Sequence, residues 1–176
     1  MIPCPIAGSI SSGPRLVQHF GERPEVYKQF GLKGHSGLDY TGPVKGALVP
    51  IYSPIRGVVA EIGNQGTAGY GLFIRLRSLD MDDQGRKQEV VLAHLSDVSK
   101  KLKLNMYVPL YDEIGRMGNT GFSTGPHLHW GLRFLNSFNA VLNYDNGFKG
   151  YVDFEPFVFY VVNPEEVKKY VQYPNG

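Results

Sequence analysis

The sequence has almost no cysteine and no long apolar run. Its single cysteine, Cys4, excludes an internal disulfide. No apolar stretch reaches the roughly 18 residues that a membrane-spanning helix needs, and the first ten residues lack the basic and apolar regions of a secretory signal. We therefore expect no signal peptide and no membrane anchoring. A target outside the membrane would be reached by other means, such as phage lysis machinery or packaging in a virion.

The sequence also lacks a strong charge of either sign, since its formal net charge is only +2. The lysines form no long basic run, which argues against a nucleic-acid partner. The cluster of Lys100, Lys101 and Lys103 is predicted to be a solvated face, with contact to an anionic wall polymer as the alternative. Because charge selects no partner, function has to be inferred from motifs.

Glycine and proline, by contrast, are abundant and scattered between short apolar runs. This spacing predicts many turns and short strands rather than long helices. The strands are predicted at positions 16–21, 35–40, 48–52, 57–62, 72–79, 89–95, 107–111, 113–116 and 127–135, with 72–79 and 89–95 forming a hairpin. Helical turns are predicted at 96–103, and a last helix is predicted from Pro164, capped by Asn163. The fold class is therefore mainly β.

The 176 residues fit one domain. We predict a single peptidase domain over 1–176, with a core at about 16–135 and a C-terminal extension, 136–176, that packs on it.

Four of the five histidines lie in three short segments: HSGLD at 35–39, AHLS at 93–96 and HLH at 127–129. Residues two apart in a strand point to the same face, so His127 and His129 should project together. One imidazole of such a pair can bind a metal while the other exchanges a proton. Two histidines on one strand face therefore favour a functional site.

A hydrolytic zinc site takes three protein ligands and keeps a fourth position open. His35, Asp39 four residues later and a distant histidine could supply those ligands. Taken alone, however, the first two also fit an ordinary surface pair, and His94 also fits a hydrogen-bonded strand end. The remaining histidine, His19, is predicted to be structural or on the surface.

The three segments together resemble the zinc endopeptidases of the lysostaphin and LytM type, which cleave peptidoglycan peptides. That family has an HxGxD segment, a later AHLS or MHLS segment, and a terminal HLH after a GxTGxSTGP loop. All three occur here in this order, the last as GNTGFSTGPHLH at 118–129. The resemblance extends from about Phe20 to Phe134.

Carried over by position, the resemblance implies that one Zn²⁺ ion is bound by His35, Asp39 and His129, and that His94 and His127 are the catalytic pair. It also implies a compact antiparallel β-sheet domain with an open groove and few short helices. The sequence departs from the family pattern at two positions. The family usually has a glycine near Tyr111 and an acidic residue at the position of Gly131.

The implied function is hydrolysis of peptide bonds in the stem or cross-bridge of bacterial peptidoglycan, at the cell wall, by a protein that we expect to be a monomer. The walls of the groove are predicted to be the loops 63–71, with Tyr70, and 136–150, with Phe138 and Tyr144. Three alternatives remain: a non-catalytic wall-binding or hydrolase-activating module, a carrier of the biotinyl type, and a virion-associated structural protein with lytic activity.

Overall fold

The protein is built almost entirely of short strands. The computed structural model describes residues 1–8, 13–43 and 49–165. Helical structure includes α1 (Pro24–Tyr27) and single 3-10 turns at Lys28–Phe30, Tyr144–Asn146 and Glu155–Phe157. Within the described ranges, no helix is both long and apolar enough to cross a membrane. The strands are β1 (Ile2–Pro3), β2 (Arg15–Gln18), β3 (Leu38–Thr41), β4 (Pro50–Tyr52), β5 (Gly57–Asn64), β6 (Leu72–Met81), β7 (Lys87–Ala93), β8 (Leu95–Val98), β9 (Tyr107–Val108), β10 (Glu113–Met117), β11 (Leu128–Leu135) and β12 (Val158–Phe159).

Seven strands form the main antiparallel sheet, in the order β2-β3-β11-β7-β6-β5-β9. A smaller antiparallel sheet has the order β4-β10-β8, and β1 pairs with β12 in parallel. The predicted mainly β, antiparallel fold class is confirmed, as is the hairpin of β6 and β7. In the main sheet, His129 of β11 lies opposite Asp39 of β3 on one side and Ala93 of β7 on the other.

Strand β11 separates the core from the functional face of the sheet. Leu128, Trp130 and Leu132 are buried in the main hydrophobic cluster, where Trp130 packs edge-on against Phe154 with ring centroids 4.7 Å apart. His129 alternates with these residues and therefore points to the opposite face. One face of the sheet is thus fixed by apolar packing, which leaves the other face available for a polar site.

The prediction of helical turns at 96–103 is wrong at its start, because β8 continues to Val98. Its register pairs Val98 with Gly115 and Asp97 with Arg116. Hydrogen bonding to a neighbouring strand outweighs local helical preference in this segment. The predicted strand at 107–111 is also shorter than expected, since β9 ends at Val108.

The predicted last helix begins where expected. Pro164 and Glu165 are helical, and Oδ1 of Asn163 accepts the Glu165 amide at 3.0 Å. The rest of that helix lies outside the described residues.

Tyr111 lies near a position where the family that the sequence resembles usually has glycine. Its φ is 61°, in the left-handed region that glycine adopts without steric cost. The tyrosine is held there by its surroundings: its hydroxyl donates to the Cys4 carbonyl at 2.8 Å, and its ring stacks on Tyr52 at 4.9 Å. Packing and a buried hydrogen bond therefore offset the backbone strain at this departure.

We expect the Cys4 thiol to be unreactive in the folded protein. It is fully buried, and burial raises its pKa to about 12, so that it carries no thiolate at pH 8. Ellman's reagent at pH 8 should therefore release about one equivalent of chromophore only after denaturant is added. Rapid reaction of the native protein would show that the strands around Cys4 open readily.

Candidate metal centre

Three side chains, of His35, Asp39 and His129, meet beside a cavity of about 1140 Å³ that Asp39 and His129 line. Nε2 of His35 lies 2.9 Å from Nδ1 of His129 and 2.9 Å from Oδ1 of Asp39, and the last two atoms lie 3.0 Å apart. All three residues are buried. The antiparallel register of β3 and β11, which sets Asp39 opposite His129, brings distant parts of the sequence together here.

The ring orientations suit a cation better than a set of hydrogen bonds. Nδ1 of His35 donates to the His19 carbonyl at 3.0 Å, so in a neutral ring its lone pair is on Nε2, facing the other two residues. Nε2 of His129 is buried and has no partner among the described residues. Three acceptor atoms converging at about 3 Å need protons or a metal ion between them.

The donor set fits zinc in chemistry and in spacing. Two imidazoles and a carboxylate are common ligands of catalytic zinc, and ligand distances of about 2.0–2.2 Å set neighbouring atoms of a tetrahedron roughly 3.3–3.6 Å apart. The three distances of 2.9 to 3.0 Å form a nearly equilateral triangle that needs only slight expansion. The residues present therefore fit such an ion.

The protonation states favour the same interpretation. Burial opposes ionisation of Asp39, but the contacts with His129 and His35 outweigh it and hold the pKa of the carboxyl well below its usual range. Burial lowers the pKa of His129, so that its imidazole is neutral. A carboxylate and neutral imidazoles are the forms that coordinate metal ions.

The other two histidines lie beside this triangle. The His94 and His127 rings have centroids 4.7 Å apart, and Nε2 of His127 lies 3.5 Å from Oδ2 of Asp39. Nδ1 of His94 donates to the Thr120 carbonyl and Nδ1 of His127 to the Gly125 carbonyl, each at 2.8 Å. In the neutral rings both Nε2 atoms thus keep a lone pair, and burial lowers the pKa of His94 to about 3.

The glycine-rich loop positions His94 through a tight contact between two loops. Gly71 and Gly121 have φ values of 59° and 75°, and a Cβ built on either would lie 2.3–2.4 Å from backbone nitrogen of the other. The hydroxyl of Thr120 also joins the loops, since it accepts the Leu72 amide at 3.0 Å and donates to the Leu95 carbonyl at 2.9 Å. The loop contact thereby fixes the carbonyl that orients His94.

We expect Gly121→Ala to reduce activity as well as stability. The added methyl group must displace backbone, which costs about 1–3 kcal/mol of unfolding free energy, and it shifts the Thr120 carbonyl away from His94. Urea unfolding and peptide hydrolysis measure the two effects. Gly85→Ala is the matched control, because Gly85 has a φ of 70° with no atom near its Cβ position. Equal activity losses in the two variants would contradict the proposed link to His94.

Two of the three predicted aromatic residues line the cavity. Tyr70 packs on His129 with ring centroids 5.4 Å apart, and Tyr144 is also a lining residue. Phe138 does not line the cavity and is 89% exposed, so its predicted role in the groove wall is wrong. The His19 side chain is mostly exposed and pairs with Glu155 at 2.6 Å, as a surface residue would.

Several groups that shape the site have no recognisable signal in the sequence. The carbonyls of His19, Thr120 and Gly125 orient three histidines, although a backbone carbonyl can belong to any residue type. Tyr27, which belongs to none of the motifs, packs on His35 with ring centroids 5.2 Å apart, and its hydroxyl accepts a hydrogen bond from Nε2 of Gln18 at 2.9 Å. Tyr27 lines the cavity because α1 packs beside the metal centre, which no local sequence pattern indicates.

Comparisons with known proteins agree with this geometry. Peptidase family M23 matches residues 33–141. An uncharacterised metalloprotease of Haemophilus influenzae is 32% identical over 99 residues, and the DD-carboxypeptidase/endopeptidase Mpg of Neisseria meningitidis is 35% identical over 99 residues. These matches cover 56% of this chain but only 18% and 20% of the relatives. The chain thus spans about a fifth of the length of the curated relatives it matches.

Solved structures match over more of the chain. The catalytic domain of lysostaphin from Staphylococcus simulans is 25% identical with a TM-score of 0.56, covering 81% of this chain and 90% of that one. LytU is 27% identical with a TM-score of 0.56, covering 85% of this chain and 87% of that one. The predicted resemblance and the prediction of a metallopeptidase are confirmed. The chain belongs to peptidase family M23.

Proposed function

We propose that the protein is a zinc-dependent endopeptidase that hydrolyses peptide bonds in bacterial peptidoglycan. The observation that carries the proposal is the buried triangle of His35, Asp39 and His129 beside two histidines with available Nε2 atoms. We assign one Zn²⁺ ion to the three triangle residues. A metal is implied by the family, and the acceptor atoms at about 3 Å spacing support this ligand set.

We assign the proton transfers of hydrolysis to His94 and His127. Bound zinc supplies Lewis acidity and lowers the pKa of water. Nε2 of one imidazole removes a proton from the attacking water, and the resulting imidazolium returns a proton to the leaving amine. The other histidine stays neutral and orients the attacking water by accepting its second hydrogen at Nε2. The Thr120 and Gly125 carbonyls support both roles, because they hold each ring with Nε2 facing the cavity.

Peptidoglycan as the substrate is supported by the names of the relatives and by the shape of the site. The lysostaphin structure is described as an antimicrobial peptidase and Mpg as a DD-carboxypeptidase/endopeptidase. His129 and Arg133, on the same face of β11, both line the cavity, so an extended peptide can lie along this strand. The proposal includes a monomeric single domain over 1–176 that acts at the cell wall. We also propose that the bond cut lies in the peptide stem or in the cross-bridge, and that the protein is encoded by a phage.

The test is release of free amino groups from purified peptidoglycan by the zinc-loaded protein. New amines, lost on chelation and restored by zinc, are the expected result, and fragment masses identify the bond that is cut. Walls with glycine cross-bridges and walls with direct cross-links should be compared. Absence of amine release from both, with one equivalent of zinc bound, would favour the alternative of a non-catalytic wall-binding or activating module.

A further inference from the structure

The cavity wall carries more positive than negative charge. Among the described residues, its only carboxylate is Asp39, which belongs to the metal centre. Its cationic side chains are Arg15, Arg23, Arg75, Arg133 and Lys149. A water-filled cleft lined by one sign of charge concentrates ligands of the opposite sign. The excess positive charge of the cavity wall therefore favours an anionic ligand.

Two of these arginines belong to strands of the main sheet, Arg75 to β6 and Arg133 to β11, and lie on one side of the metal centre. Arg133 lies four residues beyond His129 on β11 and hence on the same face, roughly 13 Å away at a strand rise of about 3.4 Å. Arg75 of β6 is opposite Val91, which in turn is opposite Gly131. Arg75 is therefore level with Gly131, which is two residues and roughly 7 Å along the strand from His129. Together they mark one end of the cavity.

The positive charge at this end exceeds its counter-charge. Glu89, whose side chain is only 4% exposed, accepts Nε of Arg133 at 2.8 Å and Nη2 of Arg133 at 2.5 Å. The same carboxylate also lies 3.3 Å from Arg77 and 3.8 Å from Arg75. Glu61, half-exposed, pairs with Arg75 at 3.0 Å. Three arginines thus share two carboxylates, one of them exposed to solvent.

Two donors at this end remain available to a ligand. Nη1 of Arg133 donates to no described residue, and it is not among the buried unpaired atoms, so that solvent can reach it. Lys149 also lines the cavity, two residues before Tyr151, which is the β-bridge partner of Arg133, and its ammonium group has no ion pair or hydrogen bond among the described residues. Both can donate to an incoming acceptor without breaking an existing contact.

Tyr151 holds the arginines in place. Its hydroxyl accepts Nη1 of Arg75 at 2.6 Å, and the Arg133 guanidinium lies over its ring, 5.3 Å from the centroid. The ring occupies the space above Gly131, where an added Cβ would lie 2.8 Å from a ring carbon. The absence of a side chain at Gly131 thus makes room for this rigid support.

We propose that the end of the cavity formed by Arg75, Arg133 and Lys149 binds a free carboxylate of the substrate peptide, two to four residues from the scissile bond. This inference rests on the proposed function and narrows its substrate to an acidic peptide. A carboxylate accepts charge-assisted hydrogen bonds from the available donors. A carboxamide carries no charge and offers only one acceptor oxygen, because its NH2 group is a donor. Amidation of that carboxylate should therefore weaken recognition.

The test uses a stem-peptide dimer from peptidoglycan in two forms, with free carboxylates and with the same carboxylates amidated. Cleavage by the zinc-loaded protein gives kcat/KM, and calorimetry with the zinc-loaded His127→Ala protein gives Kd without turnover. We expect about tenfold preference for the free acid in both measurements. Lys149→Gln leaves no buried carboxylate without its ion-pair partner, and it should reduce that preference roughly threefold. Arg133→Gln should reduce the preference further. Arg116→Gln, an exposed arginine outside the cavity, is the matched control.

The outcomes separate this inference from the function on which it rests. Equal cleavage and equal binding of the two forms would overturn carboxylate recognition while supporting the endopeptidase. Preferential binding of the acid form without cleavage of either form would support the carboxylate site and count against the endopeptidase. If Arg116→Gln reduced the preference as much as Lys149→Gln, overall charge would explain the effect and the local site would be rejected.

Discussion

His129→Ala is expected to empty the metal site and to abolish peptide hydrolysis. Nδ1 of His129 lies 2.9 Å from Nε2 of His35 and 3.0 Å from Oδ1 of Asp39, so alanine removes one corner of the triangle. The two remaining ligands are a poor zinc site, since catalytic zinc usually has three protein ligands. Atomic emission after gel filtration should find about one zinc per wild-type chain and almost none per variant chain.

Thermal unfolding gives a second readout that does not depend on activity. Zinc that binds the folded state alone stabilises it by about 2.7 kcal/mol at a concentration of 100 times Kd. The Tm of the wild type should therefore rise with zinc, and that of His129→Ala should not. His19→Ala is the matched control, because it removes an exposed imidazole and retains the backbone carbonyl that orients His35. One tightly bound zinc in His129→Ala would contradict the assigned ligand set.

The sequence predicted those parts of the molecule that depend on local patterns. Alternation of apolar residues predicted β11, and the turn residues after β6 predicted its hairpin with β7, in which Oδ1 of Asp82 accepts the Gln84 and Arg86 amides. The histidine motifs predicted which side chains would meet. Each of these features is a property of neighbouring residues, or of a residue pattern shared with a family.

Features that arise from the pairing of distant segments could not be predicted in this way. The segment after His94 is a strand because β10 lies beside it, although its own residues also suit helical turns. His94 itself has a φ of 62°, a conformation that the packing of its surroundings must support. The cationic end of the cavity combines Arg75, Arg133 and Lys149, which are far apart in the chain and come together only in the folded sheet and its flanking loop.

His127→Ala is expected to retain zinc and to lose most of the activity. The ring is a neighbour of the triangle, with Nε2 3.5 Å from Oδ2 of Asp39, whereas the three triangle atoms lie at 2.9 to 3.0 Å. Loss of a positioned proton-transfer group typically lowers the rate by about 10² to 10⁴. Stopped assays on peptidoglycan peptides, with zinc content measured on the same sample, should show a lowered kcat at one equivalent of metal.

The double variant His94→Ala/His127→Ala shows whether the pair acts as a unit. If each proton transfer requires both rings, which lie 4.7 Å apart, the double variant should be hardly slower than the slower single variant. Independent roles would instead multiply the two losses. Ser123→Ala is a useful control, because its hydroxyl is 3.2 Å from Nδ1 of His127 while the Gly125 carbonyl still orients the ring at 2.8 Å. Ser123→Ala should retain most of the activity. A loss as large as that of His127→Ala would show that the loop holding the ring, rather than the imidazole itself, is what the activity requires.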